Sequence, residues 1–395
     1  MTTDLVVVGA GTMGAWTARR GQQAGLDVTL IDAYGAGNSR ATSGDETRII
    51  RSSYGPDELY ATWAVEARDA WIELGRETYE TLYVPCGTIW FAHHEDGFEA
   101  TSARTLDGLG IRVERLTPAE VAERWPQITS SDLLFAAFEP DGGLLMARRG
   151  VAAVARRFVA EGGRLELGWA KPGRADGRRL LDVETGDGAR HAAGTFVFAG
   201  GPWLPRLFPA LLGDLIKVTK QDVVYVGPSA GDGRFDVPRM PCFIDYDAAF
   251  YGIPSVEGRG FKLAPDRYGP VFDPSTGERL VDPESVRLAR RYLAERLPGL
   301  ADAPVVETRI CQYETTPDTH FIIDRHPDFD NVWIAGGGSG HAFKHGPVIG
   351  RYVIERIGGA STGPEGDRFS LDHVREPKPN MRTGADGMVE GWSGW

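Results

Sequence analysis

Residues 4–33, "DLVVVGAGTMGAWTARRGQQAGLDVTLIDA", read as strand, glycine turn, helix and second strand. Leu5 to Val8 form an unbroken apolar run, the pattern of a parallel strand covered on both faces. Gly9, Gly11 and Gly14 complete G-x-G-x-x-G where the helix begins. The first permits the tight turn, the second lets backbone approach a pyrophosphate, and the third lets helix and strand pack closely. Unpaired N–H groups at the helix start then face the phosphates. Gly25 ends the helix, and Asp32 closes the second strand, where a carboxylate accepts ribose hydroxyls. The stretch predicts a dinucleotide-binding α/β unit.

Two later segments extend the same reading. "GTFVFAGGPWLPRL" (194–207) is an apolar strand ending in Gly200 and Gly201 and followed by a helix. "NVWIAGGGSGHAFKHGPVIGRYVIERI" (331–357) is another strand, a glycine cluster that includes Gly338 and Gly340, and a helix. Three distant glycine turns on one sheet edge favour FAD over NAD, because NAD sites tend to stay within one contiguous half. Between them lie a helix after Pro56, with Trp63 and Trp71 on its apolar stripe, a second helix ended by Gly162 and Gly163, and a hairpin around 186–188. The β-rich stretches "GTIWFAHH", "LLFAAFEPDGGLL", "KQDVVYVG" and "AAFYGIPSVEGRGFKLA" predict a second, mainly antiparallel domain. The expected fold is α/β, α+β overall. A Rossmann-like FAD-binding domain is formed from 1–83, 144–214 and 320–372, and a substrate domain from 84–143 and 215–319. Residues 373–395 are expected to form a tail without regular structure.

Composition narrows the function. The chain has 395 residues, is 42% hydrophobic and 25% charged, and carries a net charge of −12. Such acidity excludes nucleic acid and anionic membrane surfaces as partners. No apolar run spans a bilayer, and "MTTD" leads directly into a strand, so no signal peptide is expected. Three cysteines, Cys86, Cys242 and Cys311, are too few and too scattered for a disulfide framework and fit a reducing cytoplasm. His341 and His345 have no third ligand nearby in sequence, so no metal is expected. Taken alone, Cys311 has four readings: buried hydrophobe, nucleophile, metal ligand or covalent cofactor anchor.

Seven separated motifs bear on that choice: "VVVGAGTMG", "GDETRIIRSSYG", "ERWPQI", "FEPDGGLL", "FYGIPSVEGRGFKLA", "CQYETTPDTHFIIDRHP" and "GGGSGHAFKHG". In this order, to about residue 372, the chain resembles the family of monomeric sarcosine oxidase and N-methyltryptophan oxidase, FAD-dependent amine oxidases. The resemblance implies a thioether from Cys311 to the flavin and oxygen activation at Lys262. It also implies a substrate carboxylate between Arg51 and Lys344, Arg48 against the flavin ring, and Tyr251 in the pocket. Lys344 joins Gly200 of the second glycine turn among the expected cofactor contacts, and Cys242 falls where the family lines its pocket. The implied partners are a small amine and O2, with the chain a monomer or small homo-oligomer.

The departures matter too. The family's histidine pair before "GDTRIIR" is replaced by Ser43 and Gly44, and a further histidine after the lysine by Asp266. Asp266 either pairs with a cationic amine or faces solvent. Gly44 is smaller than an imidazole and predicts room for an amine bulkier than sarcosine. The leading expectation is oxidation of a secondary amine carrying a carboxylate, with hydride transfer to flavin, imine hydrolysis and peroxide release. A cyclic imino acid or a glycated amino acid is the alternative substrate. A redox-silent flavin scaffold and a NAD-dependent dehydrogenase remain as other classes.

Overall fold

The computed structural model describes residues 3–361 and 363–375. The opening stretch folds as read: strand Thr3–Val8, helix Thr12–Gln23 and strand Val28–Asp32. A core of five parallel strands runs Arg164–Leu167, Val28–Asp32, Thr3–Val8, Arg190–Phe198 and Val332–Gly336. The three glycine turns therefore leave neighbouring strands at the same carboxyl edge, where an open α/β sheet places its ligand. The hairpin around 186–188 joins Asp182–Thr185 to the outer part of Arg190–Phe198. Helix Glu58–Thr78 starts one residue later than Pro56 suggests, because the Asp57 side chain caps it by accepting from the Tyr60 N–H at 3.2 Å. Trp63 and Trp71 are buried within it.

The second large sheet has the order Val305–Thr315, Lys217–Val226, Phe261–Pro265, Phe250–Ile253, Cys242–Asp245, Thr88–Ala92, Phe135–Glu139, Glu114–Leu116. Its pairs are antiparallel, apart from the parallel pair Cys242–Asp245 with Thr88–Ala92. Alternation along these strands decides what each face does. Val224, Val226, Phe261, Leu263, Phe243 and Phe250 form a core with Ala289, Tyr292 and Leu293 of helix Pro283–Arg296. The intervening residues Tyr225, Ala264, Tyr251 and Cys311 pack together on the other face. That face carries the site.

"LLFAAFEPDGGLL" divides at its turn. Phe135–Glu139 joins the large sheet, while Gly143–Met146 pairs with Thr47–Ile50 and Tyr83–Val84 in a third, small sheet. The expected boundary after 372 falls inside a short helix, Leu371–Val374, whose Leu371 and Val374 are buried in the core under the parallel sheet. The rest of the expected tail, from 376, lies outside the described residues. No helix among the described residues is long and apolar enough to cross a membrane.

Candidate active site

A channel of about 1040 Å³ runs along the carboxyl edge of the parallel sheet. Gly9, Gly11, Asp32, Gly200, Gly338 and Gly340 line it, and Arg48 and Cys311 stand at its far end. The glycines are required by space. A Cβ on Gly9 would lie 2.3 Å from the Ala199 carbonyl oxygen, and its φ of +107° is in the region that favours glycine. A Cβ on Gly14 would lie 1.8 Å from the Gly9 oxygen, so Gly14 supports the turn from behind the channel. Asp32 steadies the same turn, accepting from the Ala10 N–H at 2.7 Å and the Tyr34 N–H at 2.8 Å. Burial pushes its carboxyl upward, and the N–H groups of Ala10 and Tyr34 oppose the shift.

Ser43 caps this cofactor helix: its Oγ accepts from the Thr12 N–H at 3.0 Å. A tripeptide-spaced glycine motif gives no hint of that contact, which arrives from another part of the chain. Two buried polar atoms on the channel wall, Thr42 Oγ1 and Glu314 Oε2, have no hydrogen-bond partner among the described residues. Such groups are costly unless a ligand satisfies them. Together with the glycine cradle and the helix start, they fit a long, polar dinucleotide.

A second cavity of about 740 Å³ joins the channel, and Arg48, Cys311, Tyr313, Gly340 and Phe343 line both. Its own walls include Arg51, Lys344, Tyr251 and Asp266. The Arg51 guanidinium lies over Tyr54 at 4.1 Å and Trp90 at 5.0 Å from the ring centroids, and donates to the Ser53 carbonyl. Stacking of this kind fixes the fork and leaves its outer edge for an anion. The Lys344 ammonium donates to the Tyr54 hydroxyl at 2.8 Å and the His341 carbonyl at 3.0 Å. Asp266 accepts from the Tyr313 hydroxyl at 3.0 Å and is half-buried, so it lines the cavity and also meets solvent. Tyr251 is kept protonated, since burial pushes its hydroxyl well above the usual range.

Between the two spaces lies a buried charge cluster. Asp45 accepts from the Lys262 ammonium at 2.5 Å, the Arg48 guanidinium at 2.7 Å and the Tyr225 hydroxyl at 2.9 Å. Sheet register explains two of these: Tyr225 and Lys262 are cross-strand partners on one face. Arg48 also donates to Cys311 Sγ at 2.9 Å and to the Thr42 carbonyl at 2.8 Å. Burial opposes ionisation of Asp45, but Lys262 and then Arg48 outweigh it and hold the carboxyl well below its usual range. Burial pushes Lys262 downward, against the opposing pull of Asp45. The pair is ionic.

The structure corrects several expectations. Cys242 does not line the cavity: it is fully buried, its Sγ 3.8 Å from that of Cys86, in an apolar cluster on the same face of the sheet, sealed off from the cavity. Gly44 lines neither space. A Cβ there would sit 2.0 Å from the Asn38 carbonyl oxygen, so its smallness serves a tight turn and enlarges nothing around a substrate. Lys344 belongs to the second cavity and not to the channel. Sequence reading also missed Asp45, Tyr225, Tyr54, Tyr313, His341 and Glu314. Tyr313 had a signal, two residues after Cys311 on one strand and hence on its face. Asp45 stood inside the quoted "GDETRIIR". Outside the lining of both cavities, Asp318, His320 and His373 bring potential metal-ligand atoms within 4.8 Å of one another, a grouping that sequence separation had hidden.

A family model for FAD dependent oxidoreductases matches residues 4–356. The chain is similar to monomeric sarcosine oxidase of Bacillus sp. (strain B-0618), with 29% identity over 95% of this chain and 96% of that one. It is also similar to N-methyl-L-tryptophan oxidase of Yersinia pestis (strain Pestoides F), with 28% identity over 89% and 93%. Among solved structures, L-proline dehydrogenase from P. horikoshii has the same fold, with a TM-score of 0.82 over 94% of this chain and 97% of that one at 22% identity. With a match across nearly its whole folded length and a channel shaped for the dinucleotide, the chain belongs to the FAD dependent oxidoreductase family.

Proposed function

We propose that the protein is an FAD-dependent oxidase of a secondary amine that carries a carboxylate, such as an N-substituted amino acid. The observation that carries this reading is the joining of the two cavities at Arg48, Cys311 and Tyr313. One space has the cradle for FAD, and the other has Arg51, Lys344, Tyr251 and Asp266 on its own walls, with Arg48 and Tyr313 where the two meet. Relatives named for oxidation of sarcosine and N-methyl-L-tryptophan support the same class. When bound, FAD accepts two electrons from the amine carbon and passes them to O2, giving hydrogen peroxide.

Each residue has a task in this reading. Arg51, held by Tyr54 and Trp90, grips the carboxylate through charge-assisted hydrogen bonds, with the Lys344 ammonium beside it. A buried Lys344 beside a half-buried Arg51 in one small space is costly until an anion lies between them. Asp266 and the Tyr313 hydroxyl form the polar end that receives the amine. Lys262 places a fixed positive charge where oxygen is reduced, so that negative charge developing on it is stabilised. Gly9, Gly11, Asp32, Gly200, Gly338, Gly340 and Arg48 hold the cofactor, and Cys311 anchors it covalently. Arg48 donates to the sulfur at 2.9 Å and so fixes its direction toward the channel. A cytoplasmic location belongs to the same reading, supported by three cysteines that are all unpaired.

A second reading, a cyclic imino acid as substrate, is favoured by the apolar wall of Ile49, Ile244, Ala264 and Pro265. Peroxide release measured over N-methyl, cyclic and glycated amino acids separates these readings. Turnover of an N-substituted amino acid with stoichiometric peroxide is expected. Flavin-loaded protein that reacts with none of the three classes would overturn the proposal.

A further inference from the structure

Lys262 lines neither cavity but is joined through Asp45 to Arg48, which lines both. Its ammonium is 1% exposed and lies 2.5 Å from a carboxylate that is itself 4% exposed. That carboxylate, Asp45, uses one oxygen for both cations, Lys262 and Arg48 at 2.7 Å, and the other for the Tyr225 hydroxyl and the Glu46 N–H at 2.8 Å. Lys262 spends a second donor on the Thr47 carbonyl at 3.0 Å. Arg48 carries the chain onward to Cys311. Two buried cations and one buried carboxylate leave one net positive charge beside both spaces.

We propose that Asp45 is a positioning residue for the oxygen half-reaction: it pins the Lys262 ammonium in one place and balances one of the two buried cations at the junction. The inference rests on the role given above to Lys262. Three things follow from the geometry. Without the carboxylate, Lys262 and Arg48 face each other unscreened in a site shielded from water. The lysine then loses the carboxylate that holds its proton against burial, while Arg309 is a further cation 3.9 Å from Asp45. An amide in its place retains the shape and the acceptor oxygen but not the charge. The carboxylate is thus what makes the cation permanent.

The test compares wild type with Asp45→Asn, both flavin-loaded, in two measurements across pH. In stopped flow, reoxidation by O2 should lose its rate at alkaline pH, with the descending limb of Asp45→Asn displaced downward by about one pH unit or more. Sulfite, which adds reversibly to bound flavin and yields an anionic adduct, should bind the variant about tenfold more tightly at acid pH. That advantage should vanish as pH rises through the displaced limb. A uniform loss of rate with an unmoved limb, and a sulfite ratio independent of pH, would reduce Asp45 to a packing residue and overturn the proposal. If Asp45→Asn does not accumulate folded, the double variant Asp45→Asn/Lys262→Met restores the single net charge. Its recovery as folded flavoprotein with near wild-type sulfite affinity supports charge balance, and its failure to fold contradicts it. Lys262→Met distinguishes the two claims. Unslowed reoxidation there removes the role of Lys262 in oxygen chemistry, while the sulfite titration still reports on Asp45.

Discussion

The two spaces that meet at Cys311 are built by different means. The cofactor channel is a backbone structure: glycine turns that no Cβ would fit, a helix start, and main-chain N–H groups steadied by Asp32. The substrate cavity is a side-chain structure, with Arg51, Tyr251, Asp266, Tyr313 and Lys344 delivered by four separate segments. A backbone site is written in short local motifs, because the spacing of glycines is itself the geometry. A side-chain site is written in strand register and long-range packing, and it can be rebuilt residue by residue while the channel stays the same. Variants should therefore fail in distinct ways in the two regions.

The largest effect is expected at the channel. Valine at position 14 would drive a side chain into the Gly9 carbonyl, where even a Cβ lies at 1.8 Å. Purified Gly14→Val should carry no flavin, as read from its visible absorbance. Full flavin occupancy in that variant would break the claim that backbone geometry makes this site.

Next comes Arg51. Arg51→Ala removes a charge-assisted contact and leaves Lys344 without its companion, so simple carboxylates that compete with substrate should weaken by roughly 10- to 100-fold. Flavin content should be unchanged. Loss of flavin from this variant would blur the boundary between the two regions.

Glu314 sharpens the comparison, since it is a buried acid of the channel wall with one oxygen lacking a partner among the described residues. Burial pushes it up to about 7, with the Gly338 N–H opposing. Its folded value lies above the unfolded one, so the folded chain holds a proton that the unfolded chain has released. Stability from this group is present below the unfolded carboxyl value and falls as pH rises toward about 7. In flavin-free Cys311→Ser protein, adding Glu314→Gln should abolish that decline and stabilise the chain above neutral pH by roughly 3 kcal/mol. Denaturant melts at two pH values measure it. An unchanged pH dependence would show that Glu314 is ionised in the folded chain.

The smallest effect belongs to Asp266. It is half-buried and already held by Tyr313, so Asp266→Asn should alter the KM for an amine substrate by only about 2- to 5-fold. A hundredfold change would make it a principal amine contact.

The contrast also explains what could be read from sequence. The Rossmann-like core, the second sheet and the placement of Gly9, Gly11, Asp32, Gly200 and Gly338 were all legible, because hydrophobic runs and glycine spacing are local. Cys242 and Gly44 were misjudged on inherited position: one is sealed beside Cys86 in an apolar cluster, and the other is confined by the Asn38 carbonyl. Asp45 was visible within its motif yet silent, since an acid two residues before Thr47 looks like a solvated charge. Only the pairing of Tyr225 with Lys262 across two strands shows that it is buried between cations. Tyr54 reaches Lys344 across 290 residues, and no pattern in either segment announces it.

The most direct test of the account measures the two half-reactions apart in stopped flow, flavin reduction by amine without oxygen and flavin reoxidation by O2. Lys262→Met should slow reoxidation by roughly 10²–10³ while reduction changes little, since one fixed charge in a dry site acts on the oxygen step. Arg51→Ala should do the converse, slowing reduction at limiting amine and leaving reoxidation intact. If both variants impair the same half-reaction to the same degree, the division of labour between the two spaces is wrong.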